Sequence, residues 1–262
     1  KTAKNSLIVG SCDDVTVASD GSVNTASISI SSFSSQGPTD DLRVKPDITG
    51  NGSSLTSTSN SSNTSTTTMS GTSMSSPNVA GTLLLIQQHF KNVSNNFVRS
   101  ATLKGLVCHT ADDAGDIGPD PVFGWGLLNA KKAVETITNN GLNSCISEEN
   151  LNNDRPFNMT VNSNGTTPLI ASITWTDLPG VPNNGSLSLN DMTPALVNDL
   201  DIRITRNANT YFPWKLNSDL SLPALRTGDN NVDNVEQVKI DNPPAGQYTI
   251  TVSRKGSLVT GN

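Results

Sequence analysis

Ser70-Gly71-Thr72-Ser73-Met74-Ser75-Ser76-Pro77-Asn78-Val79-Ala80-Gly81 sets a serine on a glycine-loosened turn that runs directly into an apolar helical pattern. A serine buried in a core would not need that setting. Gly71 permits a tight backbone approach, and Pro77 suits the first turn of a helix, where its missing N–H goes unused. Beyond it, Val79, Ala80, Leu83, Leu84, Ile86 and Gln87 read as the body of an amphipathic helix. The amides and the positive dipole end of that helix would face negative charge developing near Ser73, as attack by serine in acyl transfer requires.

The neighbours of Ser73 choose among the known settings of a serine nucleophile. The lipase and esterase elbow needs G-x-S-x-G; position 75 is serine, so that setting is excluded. The string from Gly71 to Pro77 closely resembles the nucleophile motif of the subtilisin-like serine proteases. Two further blocks carry the same resemblance in the family's order. Phe33-Ser34-Ser35-Gln36-Gly37-Pro38-Thr39 with Arg43-Val44-Lys45-Pro46-Asp47-Ile48 is similar to the segment that precedes the nucleophile, and Phe123-Gly124-Trp125-Gly126-Leu127-Leu128-Asn129-Ala130 to the one that closes the catalytic domain. The resemblance implies that Ser73 is the nucleophile of an Asp-His-Ser triad and that its own N–H is an oxyanion donor. It also implies that Thr72 and Met74 line the substrate site. The Ser/Thr run from Ser53 to Thr68 reads only as a solvated loop and strand region feeding the turn.

A serine hydroxyl needs a base within hydrogen-bond reach, and that base needs an orienting group. In the subtilisin order both precede the serine, yet the chain's two histidines, His89 and His109, follow it. His89 lies sixteen residues beyond Ser73 on the same expected helix, about 24 Å along its axis. His109, in Leu106-Val107-Cys108-His109-Thr110-Ala111-Asp112, resembles a structural helix end of the family. Asp13, Asp14 and Asp47 read as loop or capping carboxylates. The expectation is therefore a C-terminal part of a larger protease, inactive by itself, partnered by an upstream fragment of the same protein that supplies the aspartate, the histidine and the side-chain amide of the oxyanion site. Ala3-Lys4-Asn5-Ser6-Leu7-Ile8-Val9-Gly10-Ser11 accordingly resembles an interior strand of the family's parallel sheet, whose exposed faces and edges would keep the chain from standing alone.

Two domains fit in 262 residues, and composition changes near Thr138-Asn139-Asn140-Gly141. We expect residues 1–138 to form part of the catalytic α/β domain, 139–156 a linker, and 157–262 an all-β sandwich. A net charge of −6 argues against nucleic acid as a general partner, and no apolar run approaches a membrane span. The acidic, Asn/Ser/Thr-rich composition suits a secreted protein. Cys12, Cys108 and Cys145 lack metal or redox spacing and allow one internal disulfide at most; three unpaired thiols, with Cys12 and Cys108 buried, are an equal reading.

Strand signals recur over Phe157–Val161, Leu169–Trp175, Leu200–Ile204, Val235–Ile240 and Gln247–Val252, with alternation such as Leu200, Ile202, Ile204. Ile173-Thr174-Trp175-Thr176-Asp177, Leu196-Val197-Asn198-Asp199-Leu200-Asp201-Ile202 and Asp229-Asn230-Asn231-Val232-Asp233-Asn234-Val235-Glu236 resemble the jelly-roll domain that follows the protease domain in the alkaline-protease branch of the family. In such relatives further residues complete the final strand, so loss is expected at Thr260-Gly261-Asn262 too. Asn198, Asp199, Asp201, Asp229, Asn230 and Asp233 place hard oxygen ligands on short loops, as a structural calcium would demand. The same side chains equally serve as turn caps. The leading expectation is a secreted serine endopeptidase acting on peptide or protein; the alternative is a non-catalytic pseudoprotease or β-rich binding module.

Overall fold

A computed structural model describes residues 2–181 and 190–259. The chain divides into two compact units. The first comprises Leu7–Gly37 and Val44–Ile146; the second gathers Thr2–Ser6, Pro38–Arg43 and everything described from Ser147 onward.

In the first unit β1 (Val9–Cys12) and β2 (Ile48–Asn51) pair in parallel, Val9 opposite Ile48 and Cys12 opposite Asn51. Gly126, Leu127 and Leu128 run beside β2 in the same sense, with Thr49 N donating to Gly126 O at 2.9 Å and Leu128 N to Thr49 O at 2.9 Å. The interior strand expected from Ala3 begins only at Val9. Polar bonds upstream explain the late start: Ile8 N donates to the Asp47 carboxylate at 2.7 Å, and the Lys4 and Asn5 side chains bond to Asp177. A hairpin, β3 (Leu55–Thr58) with β4 (Thr66–Met69), occupies the Ser/Thr run and is largely exposed.

Three helices complete the unit: α1 (Thr72–Ser94), α2 (Ser100–Thr110) and α3 (Ala130–Thr138). Helix α1 ends at Asn95, whose left-handed backbone donates its N–H to Lys91 O, a common helix stop. Asn129 caps α3 by accepting from Lys132 N and donates its side-chain amide to Asp112 at 2.8 Å. The core joins Ile48 of β2 to Val79 and Ile86 of α1, Leu106 and Val107 of α2, and Ala133 and Ile137 of α3. Two details correct the expected helix. Pro77 lies inside α1 rather than in its first turn, because Gly71 caps the helix and winding starts at Thr72. Ala80 and Leu84, read as part of the apolar helix body, are exposed, as is Leu85; Leu84 and Leu85 are 72% and 71% accessible.

The second unit holds strands and, among the described residues, no helix. They are β5 (Phe157–Ser163), β6 (Leu169–Thr174), β7 (Leu200–Arg206), β8 (Asn209–Tyr211), β9 (Val235–Ile240) and β10 (Gly246–Arg254). Two antiparallel sheets form, in the orders β5-β10-β7-β8 and β6-β9. Side chains from both meet in one core of Ala171, Ile202, Ile204, Val238, Ile240 and Tyr248. All five expected strands are present. The sixth, β8, is three residues of polar sequence behind a left-handed Asn207 and offers no alternation to read. Thr260, Gly261 and Asn262 lie outside the described residues.

Candidate active site

Ser73 is the second residue of α1 and its side chain is exposed. The turn beneath it has a definite construction. Gly71 takes φ 157° and ψ 159°, a region that side-chain-bearing residues essentially do not enter. A Cβ there would meet nothing closer than Met74 Sδ at 3.6 Å, so the requirement for glycine is conformational rather than steric. Gly71 N donates to Gly52 O at 2.8 Å. Gly52 is a steric case: its Cβ would lie 2.6 Å from Gly71 O and 2.8 Å from Ser75 Cβ.

Below the turn, Ser75 is fully buried and its Oγ donates to Gly10 O at 2.7 Å or Gly50 O at 2.9 Å, one carbonyl on each parallel strand. The side chain two positions after Ser73 thus fastens the first helical turn to β1 and β2. Met74 N and Ser75 N both donate to Gly71 O; the amides of Thr72 and Ser73 precede any intrahelical acceptor and point out of the helix end. Pro77 has no N–H for the Ser73 carbonyl four residues back. Thr72 and Met74, half-buried, flank the hydroxyl.

Neither histidine serves it. His89 lies far along α1 and its Nε2 is 2.9 Å from Thr138 Oγ1. His109 sits in the last turn of α2, where burial pushes its pKa down to about 4. Asp13 accepts from Ser31 Oγ and Asp14 from Val15 N and Asn51 Nδ2, as loop carboxylates do. Asp47, read as a loop or capping residue, is instead the buried partner of two lysines, Lys45 at 2.6 Å and Lys104 at 2.9 Å. All three cysteines are free thiols, Cys12 and Cys108 buried and Cys145 exposed; burial raises the Cys12 pKa to about 11.

The second group of expected site residues is only partly gathered. Asp201 and Asp229 meet at Lys255 Nζ, at 2.9 and 3.1 Å, with Asp199 at 3.6 Å. Arg203 takes the other oxygen of Asp229 at 2.5 Å. Asn198 Oδ1 is bonded to Val259 N, and Asp233 pairs with Asn230 Nδ2 in a turn. Burial pushes Asp199 up to about 6, against the opposing charge of Lys255. Glu236, which sequence reasoning passed over, is wholly buried beside them. Its Oε2 accepts from Ile202 N at 2.9 Å while Oε1 has no partner, and burial raises its pKa well above the usual range. The run Val235-Glu236-Gln237-Val238-Lys239-Ile240 mixes polar and apolar residues, so nothing local marked Glu236 as buried.

Comparison with known proteins finds relatives for part of the chain. A 127-residue stretch is 35% identical to the PII-type proteinase of Lactococcus lactis subsp. cremoris, covering 42% of this chain and 7% of that protein. An 83-residue stretch is 35% identical to the extracellular serine protease of Serratia marcescens, covering 32% of this chain and 7% of the relative. The chain thus spans less than a tenth of the length of these curated relatives. Fervidolysin from Fervidobacterium pennivorans, a keratinolytic enzyme related to subtilisin, aligns over 95% of this chain and 29% of its own, at 16% identity and a TM-score of 0.40. The stretch that carries Ser73 and its turn, residues 1–126, matches the subtilase family.

Proposed function

We propose that this chain carries the nucleophile of a secreted serine endopeptidase. Ser73 attacks the scissile carbonyl of a peptide or protein, the amine leaves, and water releases the acyl group from the serine. One observation carries the reading: an exposed hydroxyl on the second residue of a helix, above a glycine-only backbone, with the unpaired Thr72 and Ser73 amides at the same end. The Ser73 N–H is a donor to the oxyanion, and Thr72 and Met74 border the substrate. Met74 places a thioether next to the reacting oxygen, which makes its oxidation a route to inactivation. The Serratia marcescens relative is an extracellular serine protease, which supports secretion.

The proton of Ser73 must go to a base. His89 is about 24 Å away along α1, and a desolvated His109 in α2 is a poor proton acceptor. We therefore assign the triad's aspartate and histidine, and the side-chain amide of the oxyanion site, to upstream polypeptide of the same protein. The bare Leu84 and Leu85 support such a partner, since a helix of an α/β layer normally covers large apolar side chains. The second unit is an accessory β-domain, with the jelly-roll architecture as the proposed arrangement.

Hydrolysis of denatured protein by the intact polypeptide tests this. Ser73→Ala is expected to lower kcat about 10⁴-fold or more. A folded, intact protein that hydrolyses nothing would instead support a pseudoprotease or binding module, the reading that the absence of a histidine near Ser73 keeps in view.

A further inference from the structure

The residues expected to hold calcium do not fit it as they are arranged. Calcium takes about six to eight oxygens. Here Asn198 Oδ1 is spent on Val259 N, Asp233 is turned to Asn230, and Arg203 holds one oxygen of Asp229. Among the described residues no three carboxylate, thiolate or imidazole groups are placed to share a metal. The acidic oxygens that do converge, from Asp199, Asp201 and Asp229, converge on an ammonium.

We propose that Lys255 is the built-in cation of the second unit, its ammonium occupying the place among the acidic loops that a divalent ion would take, so that the unit folds without one. Three segments distant in sequence meet there. Asp199 and Asp201 stand at the start of β7, Asp229 in the loop before β9, and Lys255 just after β10. The lysine is held by its backbone as well, since Lys255 N donates to Asp199 O at 2.9 Å, and Asn231 Oδ1 also accepts from its Nζ. Two of the carboxylates therefore neutralise a charge carried on the same chain, and Arg203, 3.7 Å from Asp201 and 2.5 Å from Asp229, supplies a second. Burial disfavours the charged ammonium, yet the bonds to Asp201 and Asp229 outweigh it and raise the Lys255 pKa. A mobile divalent ion would have to displace this tethered charge before reaching the oxygens.

Trp175 supplies the probe. Its indole Nε1 donates to Asn198 O at 3.0 Å, so terbium bound among these loops would be sensitised by tryptophan excitation. In the intact protein, tryptophan-sensitised terbium emission is expected to be the same in wild type and Asp201→Asn, whatever ions bind elsewhere. Lys255→Ala is expected to gain one terbium, and Asp201→Asn added to it to abolish the gain. In chelator, Lys255→Ala should melt about 3–6 °C below wild type and recover part of that difference in millimolar calcium, while Lys255→Arg keeps the wild-type melting point and excludes terbium. Wild-type emission that disappears in Asp201→Asn would overturn the proposal, because an ion would then reach the site past Lys255. So would a Lys255→Ala protein with unchanged melting and no new terbium. If Lys255→Ala does not fold, the wild type decides: its melting point is expected to move less than about 1 °C between chelator and calcium through this unit, and a fall that Asp201→Asn abolishes contradicts it.

Discussion

Asp47 and Glu236 are both carboxyl groups sealed from water, 3% and 0% exposed, and the fold treats them in opposite ways. Asp47 is brought two lysine ammonium groups and the N–H of Ile8. Glu236 is brought one N–H, from Ile202, and acidic neighbours at Asp201, Asp199 and Asp233. Burying an ionised group costs several kcal/mol unless a counter-charge and hydrogen bonds replace the lost water. At Asp47 cations meet that cost; at Glu236 burial raises the carboxyl pKa and so favours the protonated, neutral form. Lys255 stands between the two cases, a cation supplied to one buried carboxylate, Asp201, and to two that remain partly wet, Asp199 and Asp229.

The sharpest way to break the comparison is to remove the charge at Asp47. Asp47→Asn strips Lys45 and Lys104 of their shared carboxylate, and denaturant unfolding is expected to show a loss of about 3–5 kcal/mol. Lys104→Met should cost less, about 1–3 kcal/mol by the same measurement, because Lys45 stays bonded to both oxygens of Asp47. If the two variants were equal, the paired lysines would not be acting as separate counter-charges.

Glu236→Gln sits at the other end of the scale. The amide keeps an acceptor for Ile202 N and cannot ionise, so stability near pH 5 should change by about 1 kcal/mol or less. Its signature is in the pH dependence. A raised carboxyl binds its proton in the folded state above the pH at which the unfolded chain has released it. Stability therefore falls as pH rises from 4.5 toward the folded pKa of Glu236, by up to about 1.4 kcal/mol per pH unit. Asp199 adds the same sign between 3.8 and about 6. Denaturant midpoints of wild type and Glu236→Gln measured across pH 5 to 9 should converge at the acid end and separate toward the alkaline end, with the variant the more stable. Parallel profiles would mean that Glu236 ionises as freely in the folded protein as in the unfolded one.

What the sequence made readable was local. The Ser73 turn is legible because the glycine that permits it, the hydroxyl and the helix that follows are contiguous from Ser70 to Ile86. The five main strands of the second unit announce themselves by alternation, and Val235–Ile240 is found with its bounds unchanged. The misplacement of Pro77 came from assigning the proline to the first turn, when the glycine-only backbone at Gly71 lets winding begin five residues before Pro77. Charge partnerships are where reading stopped. Lys255 reaches Asp201 across 54 positions, and Lys104 reaches Asp47 from helix α2; no spacing rule couples such pairs before the fold does. The buried role of Ser75 was equally hidden, since a serine two places after Ser73 looks like one more polar residue in a serine-rich turn.

The central claim, that the Ser73 oxygen is the activated nucleophile, is tested most directly by treating the folded, intact protein with a fluorophosphonate and mapping the modified peptide by mass spectrometry. The account predicts a single adduct on Ser73 that forms in the native protein and does not form when the protein is denatured before treatment. An adduct on another serine, or none on a protein shown to be folded, would contradict it.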